Sequence, residues 1–305
     1  MPSSDTGPPQ RPRTIGGLRA LAPAYDGFIL DLWGCLHDGF KPFPGVIDGL
    51  ERLIAAGKRI CILSNAPRRA ADVIQRMSEI GIRPGLYHHV MSSGEETWQH
   101  LAHRPDDFYR ALGRACFHIG PRRDDGMLED VGLRPVTEIA AADFILNTGP
   151  WGWEERATHY EAVMQAARAR GLPMICANPD LVVQHGGRVA ICAGTLAQRY
   201  EALGGRVRWH GKPFAAVYET CFALLAIADR RRILAVGDSL RTDIAGANGV
   251  GIDSLLVAGG IHAEEFGLAP GGEPDAALID AVLARDPFDE SSGGAPDYVI
   301  SHFAW

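Results

Sequence analysis

Two kinds of hydrophobic spacing alternate in the early part of the chain. Phe28–Leu32 and Arg59–Leu63 are short apolar runs of strand length, whereas Val46–Ala56 and Arg68–Glu79 repeat apolar residues three and four apart, the helical period. Gly57 stands where the first helix should end, and Pro67, with Asn65 nearby as a cap, stands where the second should begin. A β-α-β-α order predicts parallel strands joined by right-handed crossovers, hence a doubly wound α/β sheet. The carboxyl ends of such strands share one edge, where open sheets hold their ligands.

Beyond residue 92 the punctuation changes. Cys116–Ile119, Asp143–Asn147, Pro173–Ala177 and Arg188–Ile191 read as strands, with a helical stretch over Glu154–Arg170. Ile233–Val236, Ser254–Val257 and Tyr298–Ile300 then return to the first style. The simplest organisation is a loose tail over 1–14, a discontinuous doubly wound parallel-sheet core over 15–92 and 206–305, and an inserted α/β domain over 93–205. Gly267–Pro274 and Ser291–Pro296 read as surface loops.

Composition narrows the functional classes. At 305 residues there is room for two domains, since a single core stops growing at roughly 250–300 residues. No apolar run reaches the roughly 18 residues of a membrane span. A net charge of −7 argues against a nucleic-acid partner, because phosphate-backbone affinity needs clustered Lys and Arg. The segment Met1–Arg13 is polar and proline-bearing, unlike a secretion leader, and the six cysteines form no C-x-x-C pair. Reduced core thiols and a cytoplasmic location are the expectation.

Chemistry concentrates at strand ends. Asp31 closes the first apolar run ahead of Gly34, Ser64-Asn65 follows Cys61-Ile62-Leu63, Lys212 lies in Gly211-Lys212-Pro213, and Asp238 and Asp243 follow Ile233–Val236. Singly, each has an ordinary structural explanation: a turn aspartate, a helix cap, a surface lysine, a first-turn charge. Jointly they supply an aspartate nucleophile, a hydroxyl for phosphate oxygens, a lysine to offset charge and carboxylates for a hard cation such as Mg²⁺. The ligand of such a site would be a small phosphorylated molecule.

With these four motifs in this order, the chain resembles the haloacid dehalogenase-like superfamily. The insertion, with Ala177-Asn178-Pro179-Asp180 and Ala193-Gly194-Thr195-Leu196, resembles the α/β cap of its nitrophenylphosphatase and nucleotide-phosphatase branch. The resemblance implies that Asp31 forms an aspartyl-phosphate, that Ser64 and Asn65 bind phosphate, and that Lys212 neutralises it. It further implies Mg²⁺ on Asp31, Asp238, Asp243 and the Trp33 carbonyl, with Asn178, Asp180 and His185 of the cap near the leaving group, and a homodimer through the cap. Trp151 and Trp153 of that insertion either line the pocket or dimer face or simply pack.

Trp33 departs from the family pattern. Phosphatases of this group usually carry a second aspartate there, which protonates the leaving alkoxide and then activates water; indole does neither. Such acid–base help is worth about 10²–10⁴ in rate. His37 and Asp38 are the nearest surrogates, and His37 titrates in a suitable range. The leading expectation is a Mg²⁺-dependent phosphatase slowed at Trp33. One alternative is a phosphate-binding regulatory protein with impaired turnover; another is dehalogenation through the same Asp31, since the superfamily's dehalogenases resemble this chain in having an aromatic residue at this position.

Overall fold

The computed structural model describes residues 11–185, 188–268, 272, 275–285 and 294–305. Its strands, in chain order, are β1 (Arg13–Thr14), β2 (Gly27–Leu30), β3 (Arg59–Ser64), β4 (His89–Ser92), β5 (Ala115–Ile119), β6 (Arg134–Val136), β7 (Phe144–Asn147), β8 (Pro173–Cys176), β9 (Val182–His185), β10 (Arg188–Ile191), β11 (Arg206–Trp209), β12 (Ile233–Gly237), β13 (Asp253–Val257) and β14 (Tyr298–Ile300). The helices that matter below are α1 (Val46–Ala55), α2 (Ala70–Glu79), α3 (Ser93–His103), α4 (Asp107–Ala111), α5 (Glu161–Ala169) and α6 (Ala193–Ala202). The chain divides into two compact units: Met1–Leu63, Ser78–His89 and Tyr218–Trp305 form the first, and Ser64–Met77 and Val90–Val217 the second.

In the first unit parallel strands run in the order β1-β14-β13-β12-β2-β3. Every residue of β2 and β12 is buried, which is why both read as unbroken apolar runs rather than alternating ones. The chain leaves β2 toward β3 in one direction and β12 toward β13 in the other. The crossovers therefore diverge between β2 and β12, making the carboxyl ends of this pair the switch point where such sheets open a crevice. Helix α1 buries Val46, Gly49, Leu50 and Leu53 at helical spacing, and Gly57 adopts φ +72° just past its end, as its position predicts.

In the second unit the parallel order is β11-β8-β7-β5-β6, with β9 and β10 as a separate antiparallel pair. Alternate strand residues feed two apolar layers. Ile119, Ile145, Met174 and Cys176 pack with Met164 of α5 and Leu196 and Tyr200 of α6; Cys116, Phe144, Leu146 and Ile175 pack with Leu101 of α3 and Tyr109 of α4. All six cysteines are buried and outside any disulfide, and burial pushes the Cys116 thiol up to about 12.

Several expectations shift at element ends. The helix expected over Arg68–Glu79 begins at Ala70, because the Glu95 carboxylate accepts the Ala70 N–H (3.1 Å) and the Arg69 guanidinium (2.8 Å). Asn65 therefore does not cap it. The stretch Glu154–Arg170 resolves into a 3₁₀ turn, Ala157–Tyr160, and α5, while Trp151 packs at a tilt against Tyr160 with ring centroids 4.7 Å apart and Arg123 covers Trp153. Of the expected N-terminal tail, residues 1–10 lie outside the described residues, while Arg13 and Thr14 pair with Tyr298 and Val299. Residues 269–271, 273–274 and 291–293 of the two expected surface loops are likewise outside them. Among the described residues, no helix is long and apolar enough to cross a membrane.

Candidate active site

Asp31 follows β2 directly, and its N–H donates to the Val236 carbonyl (2.8 Å), extending the β2–β12 ladder by one step. Asp238 follows β12, and Asp243 stands one turn further on, in the π-helical segment Leu240–Ile244. The three carboxylates are 7%, 6% and 4% exposed, and one oxygen of each lies within 4.8 Å of the others. Like charges this close and this buried repel unless a cation or a proton joins them. The all-oxygen donor set fits a hard divalent ion of the Mg²⁺ type.

Backbone amides and glycines aim these groups. Asp238 Oδ2 accepts the Ile261 N–H (2.8 Å), and Asp243 Oδ2 accepts the Ser239 N–H (3.2 Å). A Cβ at Gly34 would lie 2.1 Å from Asp238 Oδ2, one at Gly260 2.2 Å from the Asp238 side chain, and one at Gly237 2.1 Å from the Asp243 carboxyl carbon. Each glycine thus clears the space that a carboxylate fills. Gly260 and Ile261 carried no recognisable motif, and only the fold reveals them.

The loop after Asp31 shows how Trp33 is carried. The Gly39 N–H donates to His37 Nδ1 (2.8 Å), and the Trp33 ring lies over Gly39, where a Cβ would come within 2.4 Å of Trp33 Cη2. Indole and imidazole meet edge to face at 5.4 Å. His37 is buried, with Nδ1 occupied as an acceptor, while the Trp33 side chain is 40% exposed. Asp38 accepts the Phe40 and Lys41 N–H groups (2.8 and 2.9 Å), and these backbone donors hold its carboxyl below the usual range. Asp38 is therefore ionised and committed to its turn, a poor source of protons near neutral pH.

The second unit contains the remaining motif residues. Asn65 Oδ1 accepts the Lys212 N–H (2.8 Å), while its amide nitrogen donates to the Lys212 carbonyl (3.2 Å) and to Asp180 Oδ1 (2.8 Å). One amide thus joins the lysine loop to the Asn178–Leu181 loop. Asp180 takes its turn from Asn178, whose Oδ1 accepts the Asp180 N–H (2.9 Å). Gly211, at φ +90°, lets the chain pass Asn65, since a Cβ there would sit 2.6 Å from Asn65 Oδ1. Lys212 is buried, and Ser64 Oγ accepts the Ala66 N–H at 3.2 Å. His185 has its backbone in β9, paired with Arg188, but its side chain lies outside the described residues.

Sequence reasoning missed a buried group around this loop. Glu96 Oε2 accepts the Gly211 N–H (2.8 Å) and lies 3.3 Å from His210 Nδ1, and the Tyr109 hydroxyl bonds His210 Nε2. The available signal was Glu96 and His100 spaced four apart on one helix, with His210 directly before Gly211-Lys212-Pro213.

A cluster of buried carboxylates at the switch point of a doubly wound sheet defines an α/β protein equipped for a hard cation. Residues 28–134 match the family model for haloacid dehalogenase-like hydrolases, and residues 209–284 match a second model, for HAD-hydrolase-like proteins. A hydrolase of the haloacid dehalogenase-like family from Brucella suis, of known structure, is 32% identical, with a TM-score of 0.79 over 95% of this chain and 100% of that one. The chain belongs to the haloacid dehalogenase-like hydrolase family. It is 28% identical to the D-glycerol 3-phosphate phosphatase of Mycobacterium tuberculosis over 80% of its own length and 66% of that protein's. A crystal structure of glycerol phosphate phosphatase from the same organism, in complex with magnesium, aligns with a TM-score of 0.62 at 26% identity, covering 79% of this chain and 70% of that one.

Proposed function

We propose that this chain hydrolyses the phosphoester of a small phosphorylated metabolite, with Asp31 as nucleophile. The observation that carries the reading is the buried Asp31–Asp238–Asp243 cluster at the switch point of the first unit's sheet. Mg²⁺ would be held by these three carboxylates and the Trp33 carbonyl, and when bound would offset the charge of the transferring phosphoryl group. Asp31 attacks phosphorus and the leaving oxygen departs with the bond electrons; water then hydrolyses the aspartyl-phosphate, regenerating Asp31 and releasing phosphate. Motif order assigns Ser64, Asn65 and Lys212 to the phosphate. Residues 93–205 are assigned to a cap, with Asn178, Asp180 and His185 toward the leaving group. The magnesium complex of the mycobacterial phosphatase and the names of the relatives support the phosphatase reading and the metal.

Trp33 sets the rate. The leaving alkoxide needs a proton that indole cannot give, and His37, with Nδ1 holding Gly39, is assigned to shaping the loop rather than to proton transfer. Substrates with good leaving groups, such as 4-nitrophenyl phosphate, should therefore outpace glycerol phosphate by a wide margin. Phosphate release with Mg²⁺ or a chelator, in wild type, Asp31→Asn and Trp33→Asp, checks the reading. Turnover is expected to need Mg²⁺ and Asp31, and Trp33→Asp should raise alkyl phosphoester hydrolysis by about 10²–10⁴. No Asp31-dependent phosphate release in either wild type or Trp33→Asp would sink the proposal, and Asp31-dependent halide release from halogenated acids would put dehalogenation in its place.

A further inference from the structure

The second unit holds a group of ligand-type side chains that the phosphatase reading leaves unused. Glu96 and His100 stand one turn apart on α3, and His210 precedes Gly211; one ligand atom from each lies within 4.8 Å of the others. Glu96 and His210 are 2% and 3% exposed. Glu96 Oε1 and His210 Nδ1 are buried without a hydrogen-bond partner, although burial makes an unmatched polar atom costly.

The tautomers favour a cation. His100 Nδ1 lies 2.8 Å from the Glu96 carbonyl, which can only accept, so Nδ1 carries the hydrogen and Nε2 keeps its lone pair. Metal-binding imidazoles are held in this way, with the far nitrogen donating to a carbonyl or carboxylate. His210 Nε2 meets the Tyr109 hydroxyl, which serves as the corresponding outer partner and leaves Nδ1 facing Glu96.

Spacing supplies the second argument. Two ligands each about 2.0–2.1 Å from a tetrahedral Zn²⁺ ion stand about 3.3–3.4 Å apart. Glu96 Oε2 and His210 Nδ1 are already 3.3 Å apart. The partly exposed His100 ring, 4.8 Å from that of His210 between centroids, completes the set by a small inward shift. We propose that Glu96, His100 and His210 bind a divalent d-block cation of the Zn²⁺ class, tying α3 to the segment that carries Lys212. A donor set with two imidazoles selects such ions over Mg²⁺, which takes oxygen ligands. This inference is independent of the hydrolase reading, because neither the ligands nor the test involves turnover.

Co²⁺ is the probe, because a tetrahedral site containing nitrogen ligands absorbs visible light far more strongly than an octahedral oxygen site. The chelator-treated full chain is titrated as wild type, His100→Ala and Asp238→Asn, the last weakening the separate carboxylate cluster. The expected result is the tetrahedral spectrum in wild type and Asp238→Asn, saturating at one ion per chain and displaced by Zn²⁺. His100→Ala, altering a partly exposed side chain, should lose more than the roughly 100-fold in affinity that the loss of an outer partner can cost. A wild-type chain without that spectrum, or a His100→Ala variant that retains it, overturns the proposal.

Discussion

The carboxylates of the first unit and the lysine loop of the second are both buried, yet they are fixed by different means. Asp31, Asp238 and Asp243 project from strand ends and short turns; backbone N–H groups donate to the Asp238 and Asp243 carboxylates, and glycines clear the space beside them. Lys212 is fixed by side chains far away in sequence: Asn65, 147 residues earlier, clamps its peptide, and Glu96, 115 residues before Gly211, holds the preceding one. A site built from backbone is damaged by added volume, whereas one built from side chains is damaged by their loss. The two regions should therefore fail under opposite kinds of substitution.

The largest expected effect is on the volume side. Gly260→Ala would place a methyl group 2.2 Å from the Asp238 side chain, and something must move. Gly260 lies outside the positive-φ glycines, so the result reports crowding rather than backbone strain. Misplacing a reacting group by about 1 Å costs up to about 10² in rate. A loss of that order in kcat/KM is expected, together with loss of the thermal stabilisation conferred by added Mg²⁺. Unchanged Mg²⁺ stabilisation would show that Asp238 is less tightly confined than the geometry implies.

Loss of a side chain is the matching test in the second unit. Asn65→Ala removes both contacts to the Lys212 peptide and the contact to Asp180, leaving a buried N–H without its acceptor. Leaving such a group unsatisfied costs about 1–3 kcal/mol, so a clear drop in melting temperature is expected alongside a fall in kcat/KM of about tenfold or more. Asn65→Asp keeps an acceptor for the Lys212 N–H but sets a carboxylate against Asp180. If Asn65→Asp and Asn65→Ala proved equally stable, the Lys212 N–H contact would not be what holds the loop.

The same contrast explains what the sequence disclosed. Asp31, Asp238 and Asp243 were legible because a buried strand is an unbroken apolar run and a carboxylate at its end breaks the pattern, all within a few residues. Sheet class follows from the same local signal, since alternating strands and helices imply parallel pairing, whereas the strand order comes from the structure. Asn65 read as a helix cap because nothing local distinguishes that role from a clamp on Lys212. Glu95, the residue that does occupy the helix start, is 25 positions from Ala70. Strand β11 went unnoticed because it is a short edge strand alternating Arg206 and Arg208 with Val207 and Trp209. Glu96, His100 and His210 were missed for the reason Asn65 was misread: tertiary folding brings them together.

The smallest expected effect separates the units by pH. His118, on β5 of the second unit, has a side chain only 10% exposed beside Thr148, whose hydroxyl meets Nε2 at 2.9 Å. Burial lowers its pKa, outweighing the pull of Asp125, 3.6 Å from Nδ1. A histidine whose folded pKa lies below its unfolded value of about 6.5 is protonated more readily in the unfolded chain. The unfolded state therefore binds the extra proton, and stability that is complete above about pH 6.5 declines as the pH falls through that value. Melting temperatures measured from about pH 7.5 down to about pH 5.5 should fall for wild type and fall less for His118→Asn, which keeps a polar group toward Thr148 but does not titrate. Because His118 belongs to the second unit, hydrogen exchange over the same range should place the loss of protection around β5 and β7 and leave β2 and β12 unchanged. Equal loss in both units would show that His118 is not the group through which acid weakens the protein.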